Sequence, residues 1–362
     1  MSQSPSVSAS PLPLREIRVA GHPGEEAASM GYRKISLSLP LALAGLAATL
    51  NAAPLDKPVD PSSAVRSQLL RIPFAPATGR DLFYDVAITR FGPRSSITTS
   101  RQSLHFERSA DGYSLTVTIL RMKNGDEAFD LTTYAGRMQV PAQLRPFLLP
   151  MVVDVDAEGA LVRVRNWPEL KNAITDLPNL FAQSEQDPTK RDEARSVMAR
   201  AMTPFLHLTA EQAPRALLKG WPDLFGLGGA ELKAGVEYEG QSDEPSPMLP
   251  ITVPMTLRFS LVREADSMLH YRLTSAPDPQ TTAKVASEYL RNMAQDLPAD
   301  KRANVEKAIE AMKSMTVSNK ADVLFDPTTG LARRALLEKR VSMPDGVEGG
   351  ERGERIEIQS VQ

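Results

Sequence analysis

The chain has 362 residues, 42% of them hydrophobic and 24% charged, and its formal net charge at neutral pH is −2. This composition is typical of a folded globular protein, and the near balance of charge excludes the basic surface that nucleic-acid binding requires. Cysteine is absent, which excludes disulfide-stapled folds, cysteine nucleophiles and thiolate metal sites.

The first predicted element is an export signal that begins at Met30, behind 29 mostly polar residues without an apolar period. Two cationic residues at 33 and 34 precede an uncharged run over 35–50, and small residues follow at 52 and 53. This order is typical of a secretory signal peptide. The alternative is a transmembrane anchor, but a spanning helix needs about 20 predominantly apolar residues, and this shorter run contains a proline.

The signal sets the expected processing and location of the protein. We expect residues 30–53 to be a cleaved signal peptide, and residues 1–29 to be either an untranslated stretch before the true start or a disordered extension. Because no cysteine follows for lipid attachment, the product is expected to be soluble in the periplasm or outside the cell. The membrane is then involved only through the signal peptide. Residues 54–78 are polar and rich in proline, which favours a tether or an edge segment.

Residues 79–166 are predicted to form a first β unit. Alternation with period two begins at Leu82 and predicts a strand to Ile88. Turn signals at Ser109 to Gly112 and at Asp156 to Gly159 predict two hairpins. Further strands are predicted at 103–108, 113–121, 138–140, 152–155 and 161–164.

Residues 167–234 are predicted to form a helical insert. Ala194, Val197, Met198, Ala201 and Met202 have helical spacing, and Pro188 suits the first turn of that helix. Shorter helices are predicted over 168–180 and 209–219. Trp167 and Trp221 each precede a proline and an acidic residue, a pattern that predicts a helix start with the indole as a hydrophobic staple.

Residues 235–362 are predicted to form a second β unit, interrupted by a helical pair near 281–314. Its strands are predicted at 255–262, 268–274, 316–325, 331–342 and 356–361. The order of elements repeats that of the first unit, with Gly235 in the place of Gly79 and an Asp326 turn in the place of the Asp156 turn. Duplication explains this order; the alternative is two unrelated meanders with similar aspartate-glycine turns.

We therefore expect an α+β, mainly β fold: a large, curved antiparallel sheet of two related half-barrel-like units, with helical inserts packed against it. Half-barrels of this kind occur in periplasmic lipoprotein carriers and lipid-binding proteins. The analogy is one of fold only, because no motif in this chain carries it.

The sequence assigns no catalytic residue, metal site or cofactor. The segment Asp154-Val-Asp156-Ala-Glu158-Gly159 matches the first half of an EF-hand loop, but Arg165 stands where a bidentate glutamate is needed, so a hairpin turn explains it better. The histidines form no HExxH motif, and no serine lies in a G-x-S-x-G elbow.

The candidate ligand-binding residues are methionines on or beside predicted helices and one tryptophan: Met198, Met202, Met293, Met312 and Trp221. Flexible thioethers adapt to irregular apolar partners, although they equally suit an ordinary core. The leading hypothesis is an exported, non-enzymatic protein that binds a lipid-like apolar ligand or an envelope protein partner, and no nucleic acid. The alternatives are an envelope hydrolase that uses carboxylates and a structural scaffold without a small-molecule ligand.

Overall fold

The computed structural model describes residues 69–92, 95–225, 227–245, 252–263, 268–278, 316–342 and 351–361, with isolated positions between 284 and 310. The predicted signal segment, the extension before it and most of the predicted helical pair lie outside the described residues. Across the described part of the chain, no helix is both long and apolar enough to cross a membrane.

Strands dominate the described chain. They are β1 (Leu69–Arg71), β2 (Asp81–Phe91), β3 (Ser96–Ser109), β4 (Gly112–Asn124), β5 (Glu127–Asp130), β6 (Met151–Asp156), β7 (Leu161–Val164), β8 (Glu231–Lys233), β9 (Glu237–Pro245), β10 (Thr252–Arg263), β11 (Leu269–Pro277), β12 (Thr316–Phe325), β13 (Ala332–Ser342) and β14 (Glu351–Val361). Most predicted strands are confirmed, and the period-two strands run longer than predicted at one or both ends.

Two short helices lie between β5 and β6, and four more lie between β7 and β8. They are α1 (Tyr134–Gln139), a 3-10 helix (Ala142–Leu148), α2 (Trp167–Gln183), α3 (Pro188–Leu206), α4 (Ala213–Leu217) and α5 (Trp221–Phe225). The tryptophan-proline pattern is confirmed as a helix start, since α2 and α5 both begin at the tryptophan.

The predicted strand over 138–140 is wrong, because this segment belongs to α1 and its end. The Thr133 side chain accepts a hydrogen bond from the Gly136 amide at 3.0 Å, which caps the helix. The Arg137 guanidinium donates to the Leu131 carbonyl at 2.8 Å and ties the preceding turn to the helix. Three residues are too few for a periodic pattern to separate strand from helix.

Twelve strands form one antiparallel sheet in the order β7-β6-β4-β3-β2-β14-β13-β12-β11-β10-β9, with β5 paired to β4. The sheet is open, with β7 and β9 at its edges, and the expected mainly β fold with a large antiparallel sheet is confirmed. We call the face that carries Tyr84 and Val86 the inner face and the opposite one the outer face. Buried inner-face side chains include Leu104, Phe106, Leu115, Val153, Phe259, Val323 and Ile358.

One end of the inner face is filled by a plug, which we define as residues 69–75 and 218–233. In the plug, β1 pairs with β8, and the Ile72 amide donates to the Ala230 carbonyl at 2.9 Å. The Phe74 ring meets the rings of Phe106, Tyr113 and Phe225 edge-on, with centroids 5.4 to 6.1 Å apart. Edge-to-face aromatic contacts of this kind stabilise a core beyond simple burial.

The sheet curves around the plug. A Cβ added to Gly159, in the β6–β7 turn, would lie 2.6 Å from the Phe74 ring, and one added to Gly330, in the β12–β13 turn, would lie 1.7 Å from the Pro73 carbonyl oxygen. Strands β6 and β13 are five places apart in the sheet, about 24 Å at the usual strand spacing in a flat sheet. Two neighbouring plug residues touch both turns only because the sheet bends.

The two halves of the sheet repeat one arrangement. Across the sheet, β2-β3-β4-β6-β7 and β9-β10-β11-β12-β13 run in the same direction, with β14 between them. The Gly79 amide donates to the Phe106 carbonyl at 3.0 Å, and the Gly235 amide donates to the Leu261 carbonyl at 2.8 Å. Both glycines precede the first strand of their half, as the duplication hypothesis requires.

Candidate functional site

A row of polar side chains crosses the inner face, away from the turns that touch the plug. Its members lie opposite one another on the six adjacent strands from β11 to β3, and we call them the polar row: Ser275, Asn319, Lys339, Glu354, Arg90 and Ser96. Directly opposite residues of antiparallel strands share one face of the sheet. The row therefore interrupts a face that is otherwise largely apolar.

The centre of the row is an ion cluster that includes a plug residue. Lys219 Nζ donates to both carboxylate oxygens of Glu354, at 2.8 and 2.9 Å, and Arg90 Nε donates to the same carboxylate at 3.0 Å. The side chains are 11% (Lys219), 13% (Glu354) and 23% (Arg90) exposed. Burial lowers the pKa of Lys219, and the charge of Glu354 opposes that shift. Such a cluster is expensive to bury.

Several basic side chains share the inner face with the Glu354 carboxylate. Within the described parts of the six strands that hold the polar row, Glu354 is the single acidic side chain on the inner face by register. Arg90, Lys339 and Arg352 share that face, and Lys219 joins them from the plug. The outer face of the same strands, by contrast, pairs acids with bases, for example Arg101 with Asp85 at 2.8 Å.

Trp221 lies at the border between the plug and the open part of the inner face. Its Nε1 donates to Gln102 Oε1 at 3.2 Å, its ring meets Tyr84 edge-on at 5.1 Å and it stacks on Phe225 at 5.7 Å. These contacts are those of a packed core residue. A ligand-binding role for Trp221 stays a prediction.

Beyond Lys219 and Trp221, part of the inner face is only half covered. We call it the amphipathic patch. Its residues lie on β2 to β5 and share the inner face by register; they are Ile88, Thr98, Ser100, Ile119, Met122 and Phe129. All are of intermediate exposure, whereas the inner-face residues under the plug are buried. The apolar side chains of the patch lie beside the ion cluster, since Ile88 is two residues before Arg90 on β2.

The predicted methionine site is only partly described. Met198 and Met202 are buried on α3, which packs against α2. Val197, predicted on the same apolar face of the helix, is 50% exposed, so the buried stripe of α3 is narrow. Met293 and Met312 lie outside the described residues. A ligand-binding role for these four methionines stays a prediction.

Sequence reasoning missed the polar row, although a signal was present. Arg90 continues the inward series of Tyr84, Val86 and Ile88 at the next position of the same parity. Lys339 and Glu354 likewise each have a buried neighbour two residues away, Leu337 and Ile356. The sequence of each of these strands therefore shows a charged residue at a position of the inward-facing series. The alignment of these charged residues across the sheet depends on how the strands pair.

The outer face carries a groove of about 800 Å³ across β14, β2, β3, β4 and β5. Its lining includes Asp85, Asp130 and Glu357 among the acids and Arg101, Arg121 and Lys123 among the bases. A glycoside hydrolase needs a carboxylic acid whose pKa is raised. Every displaced carboxyl pKa within the described residues is instead lowered: those of Asp85, Asp130, Asp154, Glu211, Asp326 and Glu338. The hydrolase alternative stays a prediction.

The EF-hand-like segment is the predicted hairpin turn. Asp156 Oδ1 accepts hydrogen bonds from the amides of Glu158 and Ala160, at 2.9 and 2.8 Å. Arg163 and Arg165 both bind the Asp154 carboxylate. Burial raises the pKa of Asp154, but the hydrogen bonds from the two arginines outweigh it and hold the pKa below its usual value. Among the residues with described positions, no group of three or more potential ligands could hold a metal ion.

The ionisation of Tyr84 provides a test of how deeply its side chain is buried on the inner face of the sheet. Its burial raises its pKa from 10.0 to about 12. A raised folded-state pKa means that the unfolded chain releases the proton first, so stability is lost as the pH rises from 10 to 12. The loss is about 2–3 kcal/mol.

The Tyr84→Phe variant has no phenol to ionise, so its free energy of unfolding should not show this decrease at alkaline pH. Urea unfolding of both proteins at pH 9 and 11.5 measures the difference, since all other titrating groups contribute equally to the two. An equal loss in wild type and variant would show that Tyr84 ionises freely in the folded state.

Comparison with known proteins leaves the chain without an assigned family: no protein-family model and no curated protein matches it. Among solved structures it is similar to a porin-like protein from Bacteroides uniformis ATCC 8492. The identity is 8% over 80% of this chain and 100% of that chain, with a TM-score of 0.17. A likeness at this level carries no argument about fold or function.

Proposed function

We propose that this chain is an exported, non-enzymatic envelope protein that binds an apolar or amphiphilic ligand on the amphipathic patch. The proposal draws its location from the signal-like segment at 30–53. The observation that carries the binding function is the half-covered state of Ile88, Ile119, Met122 and Phe129 on an inner face whose other end is sealed by the plug.

The physical reason for ligand binding here is the free-energy cost of exposing these apolar side chains to water. Removing apolar surface from water gains about 25 cal/mol per Å², and the rest of the inner face obtains this gain from the plug. On the patch, an apolar ligand supplies the missing cover. Pockets for small ligands typically combine such apolar walls with a few polar groups that fix orientation, and here the polar row borders the apolar walls.

A pair of neighbouring substitutions tests the patch. Met122 faces inward, opposite Ser100 and Phe129, whereas Lys123 alternates to the exposed outer face. Met122→Glu should weaken binding of the fluorescent apolar probe 1-N-phenylnaphthylamine at least tenfold, because it places a carboxylate against the ligand. Lys123→Glu introduces the same group on the other face and should change binding less than twofold.

Native mass spectrometry of the protein purified from the periplasm supplies the second readout. Wild type should carry a co-purifying apolar molecule that the Met122→Glu variant lacks. Equal probe binding by the two variants, or a wild-type protein that carries a protein partner and binds no probe, would contradict the proposal. The second outcome would favour the envelope-partner alternative.

A further inference from the structure

We propose that a cavity beside the plug binds a small monocarboxylate, with the carboxylate on Tyr84 and Arg333 and the hydrocarbon tail against an aliphatic wall. The cavity has a volume of about 480 Å³ and lies where the starts of β2 and β13 and the end of β14 meet the β12–β13 turn. It is separate from the amphipathic patch, so the inference goes beyond the proposed function.

The first observation is the hydroxyl group of Tyr84. Tyr84 lines the cavity and is 4% exposed, and its hydroxyl makes no hydrogen bond within the described part of the chain. The oxygen is nevertheless not fully enclosed by protein, so it is accessible from the cavity. Buried tyrosine hydroxyls usually find a partner. Because burial raises the pKa of Tyr84 to about 12, the phenol stays protonated at neutral pH and offers an O–H donor.

The second observation is a pair of arginines at the same cavity. Arg333 and Arg80 both line it. Arg333 lies near the phenol, since its charge opposes the effect of burial on the pKa of Tyr84. Arg333 Nη2 donates to Asp326 Oδ2 at 2.7 Å, and the remaining N–H groups of Arg333 have no partner among the described residues. Arg80 likewise makes no hydrogen bond or ion pair with any residue that the structure describes.

The acids near the cavity are already engaged. Asp326 accepts hydrogen bonds from the amide and the hydroxyl of Thr328 as well as from Arg333, so it holds the guanidinium in place. Asp81 Oδ1 lies 2.8 Å from His105 Nδ1. The unengaged polar groups at the cavity are therefore O–H and N–H donors. Hydrogen bonds from arginine to a carboxylate are among the strong ones in proteins.

Much of the remaining wall is aliphatic. Leu331 and Ala332 are buried, Leu82 and Val361 are of intermediate exposure, and all four line the cavity. The cavity volume lies in the range of small-ligand sites, which combine apolar walls with a few polar groups. A carboxylate with a hydrocarbon tail matches both parts of this lining, whereas an ion without a tail would leave the aliphatic wall uncovered.

The test measures the binding of three probes to the full chain by titration calorimetry at pH 7: octanoate, octanol and acetate. We expect octanoate to bind at least tenfold more tightly than either of the others, because octanol lacks the charge and acetate lacks the tail. Arg333→Met should weaken octanoate binding about tenfold, as the loss of one charge-assisted contact predicts. The control is Arg334→Met, at the next, exposed position on the opposite face of β13, which should change octanoate binding less than twofold.

Tyr84→Phe keeps the test decisive if Arg333→Met fails to fold. It removes only the hydroxyl, so octanoate binding should weaken several-fold. Its free energy of unfolding at pH 7 should match that of wild type, since the hydroxyl has no partner to lose in the described structure. Unchanged octanoate affinity in this variant would contradict the inference.

The probes also separate this cavity from the amphipathic patch. Equal binding of octanoate and octanol would overturn the carboxylate head, and acetate that binds as tightly as octanoate would overturn the tail. Octanoate binding that is lost in Met122→Glu and kept in Arg333→Met would assign octanoate to the patch, which overturns this inference and leaves the proposed function intact. Octanoate binding that depends on Arg333, in a protein that binds no 1-N-phenylnaphthylamine, would do the reverse.

Discussion

Replacing Phe74 with alanine is expected to destabilise the protein by about 3–5 kcal/mol, the usual cost of removing a buried phenylalanine. The ring is buried and meets three other aromatic rings edge-on, those of Phe106, Tyr113 and Phe225. Phe106 and Tyr113 belong to β3 and β4, whereas Phe225 ends α5. The single ring therefore joins the N-terminal segment, the sheet and the helical region, and its loss leaves a cavity at their junction.

Phe83→Ala is the matched control for this substitution. Phe83 is 38% exposed and alternates to the outer face between Leu82 and Tyr84, so its truncation should cost less than about 1.5 kcal/mol. Urea unfolding followed by tryptophan fluorescence measures both variants. Similar losses for Phe74→Ala and Phe83→Ala would mean that the plug does not stabilise the sheet, contrary to the fold described above.

The sequence predicted individual strands well where one face is buried along their length. The predicted strand at 316–325 coincides with β12, because inward Val323 and Phe325 alternate with outward polar residues such as Asp322. The hairpin turns at Gly112 and Gly159 were predictable because their residues favour tight turns. In these cases, the local pattern contains the information that fixes the element.

Contacts between distant parts of the chain were not predictable in this way. The pairing of β14 with β2 joins residues more than 260 positions apart, such as Glu354 and Arg90, and no local pattern specifies it. Residues 72–74 were expected to belong to a polar, proline-rich tether or edge segment, yet Ile72 and Phe74 are buried. Their burial depends on the surface that the curved sheet and α5 provide.

The candidate site combines both kinds of information. Each charged residue of the polar row stands at an inward position that the period of its own strand reveals. The row itself exists because the registers of five strand pairs bring those positions into line, and Lys219 reaches it from a segment far away in the sequence. A one-residue slip in any pair would move its members to opposite faces, so the site is a property of the assembled sheet.

Gly330→Ala is expected to destabilise the protein by about 2–5 kcal/mol through two separable effects. Gly330 has a φ of +69°, and an alanine in this left-handed region costs about 1–2 kcal/mol. In addition, the new Cβ would lie 1.7 Å from the Pro73 carbonyl oxygen, so the β12–β13 turn must move away from the plug. Overpacking of this kind typically costs a further 1–3 kcal/mol or so.

Gly79→Ala separates the two effects, because Gly79 has a φ of +73° and nothing within 4 Å of an added Cβ. This control should show only the backbone cost, about 1–2 kcal/mol, and urea unfolding should rank Gly330→Ala as the less stable variant. Equal losses would mean that the β12–β13 turn does not rest on Pro73. The larger loss at Gly330 would show that contact with the plug, and not turn geometry alone, holds the second half of the sheet in its curved form.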